Sequence, residues 1–162
     1  MTDSRVVRVC EVPTSAAMHQ VGRELGRMLR AGDLLILDGP LGAGKTTLTR
    51  GIGDALGVRG PVTSPTFVLA RTHPSLVSGP GLVHVDAYRL ADALELDDLD
   101  IDYARSVVVV EWGAGMLDGV AESWLVATIT RRRGDSTLDE LDADEPRTLT
   151  ITGFGPRWTQ SA

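Results

Sequence analysis

Residues 33–50 read DLLILDGPLGAGKTTLTR, and this stretch decides the fold. Its first part, DLLILDG at 33–39, is an aliphatic run of buried-strand length that breaks into glycine. A helical pattern then opens at Lys45, with Leu48, Ile52, Ala55 and Leu56 on one face and Gly57 as its stop. Between them lies Gly39-Pro40-Leu41-Gly42-Ala43-Gly44-Lys45-Thr46, the phosphate-loop pattern G-x-x-x-x-G-K-[ST] in the strand–turn–helix setting it requires. Glycines in such a loop let successive backbone N–H groups converge on phosphate oxygens, and the helix N-terminus adds the positive end of its dipole. Lys45 is then expected to reach the β- and γ-phosphates, and the Thr46 hydroxyl to ligate Mg²⁺.

Lysine usage sharpens this reading. Fifteen of the 16 basic residues are arginine, and Lys45 is the single lysine. A planar guanidinium does not replace a compact ammonium among phosphates, so the one lysine stands where its chemistry is needed. The guanine-reading N-K-x-D motif of GTPases needs a lysine of its own, which points to ATP. Twenty-two acidic residues against 16 basic ones give a net charge of −6 and a pI near 5.0. That balance excludes a large basic surface for naked nucleic acid or an anionic membrane. Cys10 is the lone cysteine and has no partner for an internal disulfide, and no cysteine pair suggests zinc. The opening residues MTDSRVVRVC hold no apolar segment of secretory-signal type, so a reducing, cytoplasmic location is expected. LLIL at 34–37 and VVVV at 107–110 are far too short to cross a bilayer.

A chain of 162 residues can fold on one core without metals or disulfides, burying about 68–70% of its unfolded surface. No repeat or linker divides it, so residues 1–162 are expected to form one domain. Residues 6–10 read as a strand. Pro13, Thr14 and Ser15 open a helix with Met18, Val21, Leu25, Met28 and Leu29 at helical spacing and Gly32 as its stop. Gly51 and Gly53 inside the second helix each cost about 1 kcal/mol relative to alanine, which points to close packing there. Further strands are expected at 66–72, 82–88 and 106–112, the last buried on both faces, with a loop at 74–81 and short acidic helix at 91–104. Residues 123–131 and 147–153 read as strands joined by an acidic stretch at 139–145. The expected class is α/β: a largely parallel or mixed sheet flanked by helices, with a strand-rich C-terminal part that extends it.

A phosphate-loop site needs an acidic residue at the end of a neighbouring strand to hold Mg²⁺, directly or through water. Asp86, after LVHV, and Glu111, after VVVV, both qualify, and each has the plainer alternative of a strand-end cap. Four β-branched residues before Glu111 bury its strand, and a buried carboxylate needs a partner. His19, His73 and His84 have no metal-ligand spacing and read as surface or core histidines. Asp92, Glu95, Asp97, Asp98, Asp100 and Asp102 read as a solvated helix face, or else as a docking surface for a basic partner. The run Arg131-Arg132-Arg133 reads as a solvated strand end, with lid arginines of a small-molecule kinase as the alternative.

The series GPLGAGKTT, Ser64-Pro65-Thr66-Phe67, His84-Val85-Asp86-Ala87-Tyr88-Arg89-Leu90 and Val110-Glu111-Trp112 resembles the bacterial TsaE (YjeE) family in order and spacing. The resemblance runs from about Thr14 to Trp112 and is weaker in the strand-rich tail. A phosphate loop alone is unspecific; the four motifs in series are not. The resemblance implies an ATPase component of tRNA threonylcarbamoyladenosine biosynthesis that works with TsaD and TsaB proteins and meets tRNA through that assembly. It implies a phosphate cradle of Leu41, Gly42, Ala43, Gly44, Lys45 and Thr46, with Thr47 following, and Mg²⁺ held by Thr46 and Glu111. Thr66 would be a switch threonine that senses the γ-phosphate or the metal, and Asp86 the second acidic residue, orienting the attacking water. Trp112 would lie beside the nucleotide, with Thr14 and Ser15 approaching the adenine. The chain departs from the family at Ala87, where a bulky apolar residue is usual, and at Gly113, where proline is usual. Two other classes remain in view. A kinase would transfer phosphate to an added acceptor, and a nucleotide-dependent binding switch would barely turn over.

Overall fold

Four aliphatic runs become parallel neighbours in the middle of one sheet, and antiparallel strands complete it at both edges. The computed structural model describes residues 3–40, 43–60, 62, 70–86, 101–111, 121–131 and 146–160. The strands are β1 (Ser4–Val12), β2 (Leu34–Asp38), β3 (Ala70–His73), β4 (Gly81–Asp86), β5 (Ser106–Glu111), β6 (Trp124–Arg131) and β7 (Arg147–Phe154). Their order is β1-β7-β6-β2-β5-β4-β3. β2 pairs parallel with β5 on one side and β6 on the other, and β4 adds parallel to β5. β3, β7 and β1 pair antiparallel with their neighbours. The result is a mixed sheet of the P-loop-like α/β kind.

Among the described residues the helices are α1 (Ser15–Met28), α2 (Lys45–Leu56) and the short α3 (Pro156–Thr159). Thr14 caps α1 by accepting the Ala17 N–H at 3.1 Å, satisfying one of the donors a helix start leaves unpaired. Met18, Val21 and Leu25 then repeat at helical spacing and are buried. α1 and α2 cross at backbone distance. A methyl group on Gly22 would collide with the Leu48 carbonyl, and one on Gly51 with the His19 carbonyl. A methyl on Gly53 would come within 2.9 Å of Val62 Cγ2, so both α2 glycines serve close packing.

Alternation along the strands gives the sheet two apolar faces. Leu35, Leu37, Val107, Val109, Leu125 and Ile129 pack under α1 and α2 with Met18, Leu48 and Ile52. Leu34, Ile36, Val83, Val85, Val108 and Val110 form the opposite core with Trp124. All of β5 is buried, as four consecutive valines foretell. At the far end, Arg157 of α3 donates from Nε to Asp33 Oδ1 at 2.6 Å and from Nη2 to Asp33 Oδ2 at 2.8 Å. This bidentate pair ties α3 to the residue just before the central strand β2.

Several boundaries differ from the sequence reading. The first strand runs over 4–12, because it pairs with β7 along its whole length around an irregularity between Val6 and Arg8. α1 ends at Met28, ahead of Gly32, because Leu29 turns extended to bury its side chain. Residues 103–105 form a turn, so the described end of the 91–104 segment is not helical. The strand expected at 66–72 is seen from Ala70 and runs on to His73, and that at 82–88 is seen to Asp86. Residues 63–69, 87–100, 112–120 and 132–145 lie outside the described residues, with the motif SPTF, Ala87 to Leu90, Gly113, Arg132, Arg133, the acidic residues from Asp92 to Asp100 and the acidic stretch at 139–145. Among the described residues, no helix is long and apolar enough to cross a membrane.

Candidate functional site

β2 delivers the chain into the glycine-rich loop, and α2 leaves it at Lys45. Gly44 is the N-cap of α2 with φ 111°, a left-handed conformation that a side chain rarely adopts. Gly44 itself has no side chain to cap the helix, and among the described residues no acidic side chain lies in its first turn. The Ala43 N–H donates to the Pro40 carbonyl at 3.1 Å, and Leu48 N–H makes the first helical bond to Gly44 O at 2.9 Å. Leu41 and Gly42, between Pro40 and Ala43, lie outside the described residues, as do Thr66 and Trp112.

Lys45 turns back over the loop it follows. Its Nζ donates to the Gly39 carbonyl at 2.6 Å and to the Pro40 carbonyl at 3.1 Å, and the residue is only 6% exposed. Burial pushes the ammonium below its usual range, while the negative charges of Glu111, Asp38 and Asp86 pull it back up. One cation therefore shares its field with three carboxylates that end β5, β2 and β4. These are the C-terminal ends of parallel strands, where open α/β sheets bind their ligands. Thr46 and Thr47 follow, both half-buried in the first turn of α2.

The two acidic candidates are register partners, Asp86 on β4 opposite Glu111 on β5. Leu82 packs on the α1/α2 side of the sheet, so His84 and Asp86, two and four residues on, share that side. Val107 and Val109 put Glu111 there as well. Glu111 is 5% exposed, and its Oε2 accepts a hydrogen bond from His84 Nε2 at 2.7 Å. Asp86 is half-buried. Ser15 is the exposed first residue of α1, and Met18, one turn on, lies against Gly44. A methyl on Gly44 would stand 3.2 Å from Met18 Cε, so the start of α1 flanks the start of α2.

Sequence reasoning thus named Ser15, Gly44, Lys45, Thr46, Asp86 and Glu111, and the fold gathers them at one end of the sheet. It left His84 as a surface or core histidine; the ring is buried, and its bond to Glu111 was missed. The H-x-D spacing carried that signal, since residues two apart on a strand share a face. It also left Asp38 as a plain strand end.

The donor set fits Mg²⁺ with a nucleotide. Mg²⁺ keeps several waters and takes one or two protein ligands beside phosphate oxygens, so a hydroxyl and one carboxylate suffice. Among the described residues, no group of three or more His, Cys, Asp or Glu is set to hold a metal unaided. A buried ammonium beside an uncapped helix start supplies the charge a polyphosphate needs.

Strand, glycine-rich loop and helix within this mixed sheet define an α/β protein of the P-loop-like kind. The family model "Threonylcarbamoyl adenosine biosynthesis protein TsaE" matches residues 12–138, and the chain belongs to that family. Its place is accordingly in tRNA threonylcarbamoyladenosine biosynthesis. The protein of that name from Streptomyces coelicolor is 58% identical over 144 residues, 87% of this chain and 93% of that one. Its counterpart from Bacillus subtilis is 34% identical over 132 residues, 80% of this chain and 75% of the relative. The crystal structure of Bacillus subtilis YdiB superposes with a TM-score of 0.71 at 26% identity, covering 98% of this chain and 90% of YdiB.

Proposed function

We propose that the chain is an ATP-binding, Mg²⁺-dependent ATPase subunit that serves threonylcarbamoyladenosine synthesis together with TsaD and TsaB partners in the cytoplasm. The observation that carries this reading is the Lys45 ammonium, buried over the loop carbonyls and facing the carboxylates that end β2, β4 and β5. With ATP bound, the ammonium turns from Gly39 and Pro40 to the β- and γ-phosphates. The backbone N–H groups from Leu41 to Thr46 line the phosphates, and Thr47 extends the cradle. By the family resemblance Ser15 would border the adenine and Trp112 would stand beside the nucleotide.

Mg²⁺, when bound, neutralises phosphate charge and orients the terminal phosphate. Thr46 and Glu111 are the residues that hold it. Asp86 orients the attacking water, and Thr66 reports the state of the γ-phosphate. The net charge of −6 assigns tRNA to the assembly rather than to this subunit's own surface. The test is phosphate release from ATP by the purified chain and by Lys45→Ala. Release that requires Lys45 and Mg²⁺ supports the reading, and nucleotide-independent behaviour of both proteins contradicts it.

A further inference from the structure

His84 sits where an aliphatic residue is the ordinary choice. Its neighbours Leu82, Val83 and Val85 are all buried, and the ring itself is 0% exposed. With the carboxylate oxygen as acceptor, the 2.7 Å contact to Glu111 Oε2 assigns the ring hydrogen to Nε2. In the neutral ring, Nδ1 then carries the lone pair, and it is buried with no hydrogen-bond partner among the described residues. Such an orphaned acceptor costs stability that leucine would not. The compensation is a rigid donor aimed at one oxygen of Glu111.

We infer that His84 is a positioning residue: its Nε2–H holds the Glu111 carboxylate in the orientation that receives the nucleotide-bound metal. The inference rests on the reading of Glu111 as a metal ligand. His84 occupies Oε2, which removes the free rotation of the carboxylate and leaves Oε1 to face the cation or its water. Residues that orient a metal ligand are coupled to metal affinity through geometry alone. The bond from the buried ring belongs to Glu111; its register partner Asp86 stands at the half-buried end of β4.

The test measures Mn²⁺ affinity by electron paramagnetic resonance with ADP present, alongside ADP affinity in EDTA. Glutamine carries its amide nitrogen near the place of Nε2, whereas phenylalanine keeps the volume and loses the donor. His84→Phe should weaken Mn²⁺ binding about 10-fold with ADP affinity in EDTA unchanged, and His84→Gln should restore most of the loss. Unchanged Mn²⁺ affinity in His84→Phe, with Glu111→Gln impaired, would overturn the inference and leave the reading of Glu111 standing. Unchanged affinity in Glu111→Gln would remove both. Should His84→Phe fail to fold, ¹⁵N spectra of the wild-type ring decide. An Nε2–H tautomer whose signal moves on adding Mg²⁺ with ADP supports the role, and an Nδ1–H tautomer overturns it.

Discussion

Asp86 and Glu111 stand side by side on adjacent parallel strands, yet only Glu111 has a carboxylate oxygen bound by a buried histidine, at 2.7 Å. Neighbouring acids with unlike surroundings are suited to unlike tasks. Losing a metal ligand should cost at least as much as losing a residue that orients one, about 10–100-fold in metal affinity. Glu111→Ala should therefore raise the Mg²⁺ needed for tight nucleotide binding by that factor or more. Asp86→Asn should leave nucleotide affinity near wild type and lower turnover by about 10²–10⁴, the range for a positioned general base. Titrating Mg²⁺ against nucleotide affinity in both variants checks the assignment, and exchanged phenotypes would reverse it.

Lys45 is the single lysine of the chain, and its ammonium already spans the Gly39 and Pro40 carbonyls. Removing one preorganised charge that faces the transferring phosphoryl group is expected to cost about 10²–10³ in turnover. Lys45→Ala should lose hydrolysis to that extent and bind ATP more weakly, with an unchanged circular dichroism spectrum. Lys45→Arg should not rescue it, because a planar fork does not fit where a point charge is needed. Wild-type turnover in Lys45→Arg would contradict the phosphate-loop assignment.

Stability should fall on the acid side through His73. This buried ring donates from Nδ1 to the Arg59 carbonyl at 3.1 Å, and burial holds its pKa below the usual 6.5, helped by the nearby His84 and Arg71. The unfolded state therefore takes up a proton below about pH 6.5 that the folded state resists, so stability rises with pH across that window. His73→Asn keeps a donor near Nδ1 and removes the titration. Urea midpoints measured from pH 7.5 down to 5 should decline less steeply in His73→Asn than in wild type. Parallel curves would show that His73 is not the group responsible.

The crossing of α1 and α2 sets the place of both helix starts. Gly22 faces the Leu48 carbonyl and Gly51 the His19 carbonyl, with His19 Nε2 bonded to Asp54 Oδ2 at 2.7 Å nearby. Gly22→Ala or Gly51→Ala forces the helices apart and should cost about 1–3 kcal/mol by chemical denaturation, the usual range for overpacking. Weakened ATP binding should accompany the loss, because Met18 of α1 packs against Gly44 of the loop. An alanine at either position that leaves both quantities unchanged would contradict this picture of the crossing.

What could be read without coordinates was local. The aliphatic run of β2, the loop pattern and the helical face of Leu48, Ile52 and Leu56 lie within one continuous segment, and the helix bounds 45–56 emerged as expected. The valines of β5 carried their own burial. The pairing of β1 with β7 was not legible, because its residues lie at opposite ends of the chain and alternation does not name a partner. Arg157 and Asp33 are 124 residues apart, and nothing in either neighbourhood announces the pair. α3 is a single turn that opens at Pro156 after Gly155, too short to show helical periodicity. Of the candidate site, the one-dimensional motifs pointed to the glycine-rich loop and to both acids as candidates, whereas the bond between His84 and Glu111 needed the register of two strands.

The central claim is an ATPase subunit that depends on its assembly. Phosphoryl transfer needs the γ-phosphate charge neutralised, the attacking water aligned and bulk water excluded. In the proposed account Lys45 and Mg²⁺ would neutralise part of that charge, and Arg89 is the arginine within the D-x-Y-R motif in sequence. An arginine or ordered loop supplied by a partner is worth about 10³–10⁵ in turnover where such devices operate. The decisive measurement is phosphate release from ATP by the purified chain alone, with tRNA, and with TsaD and TsaB together. The account predicts slow turnover alone, no stimulation by tRNA, and marked stimulation by the two partners that Lys45→Ala abolishes. Fast release by the isolated chain, indifferent to the partners, or transfer of phosphate to a small-molecule acceptor would contradict it.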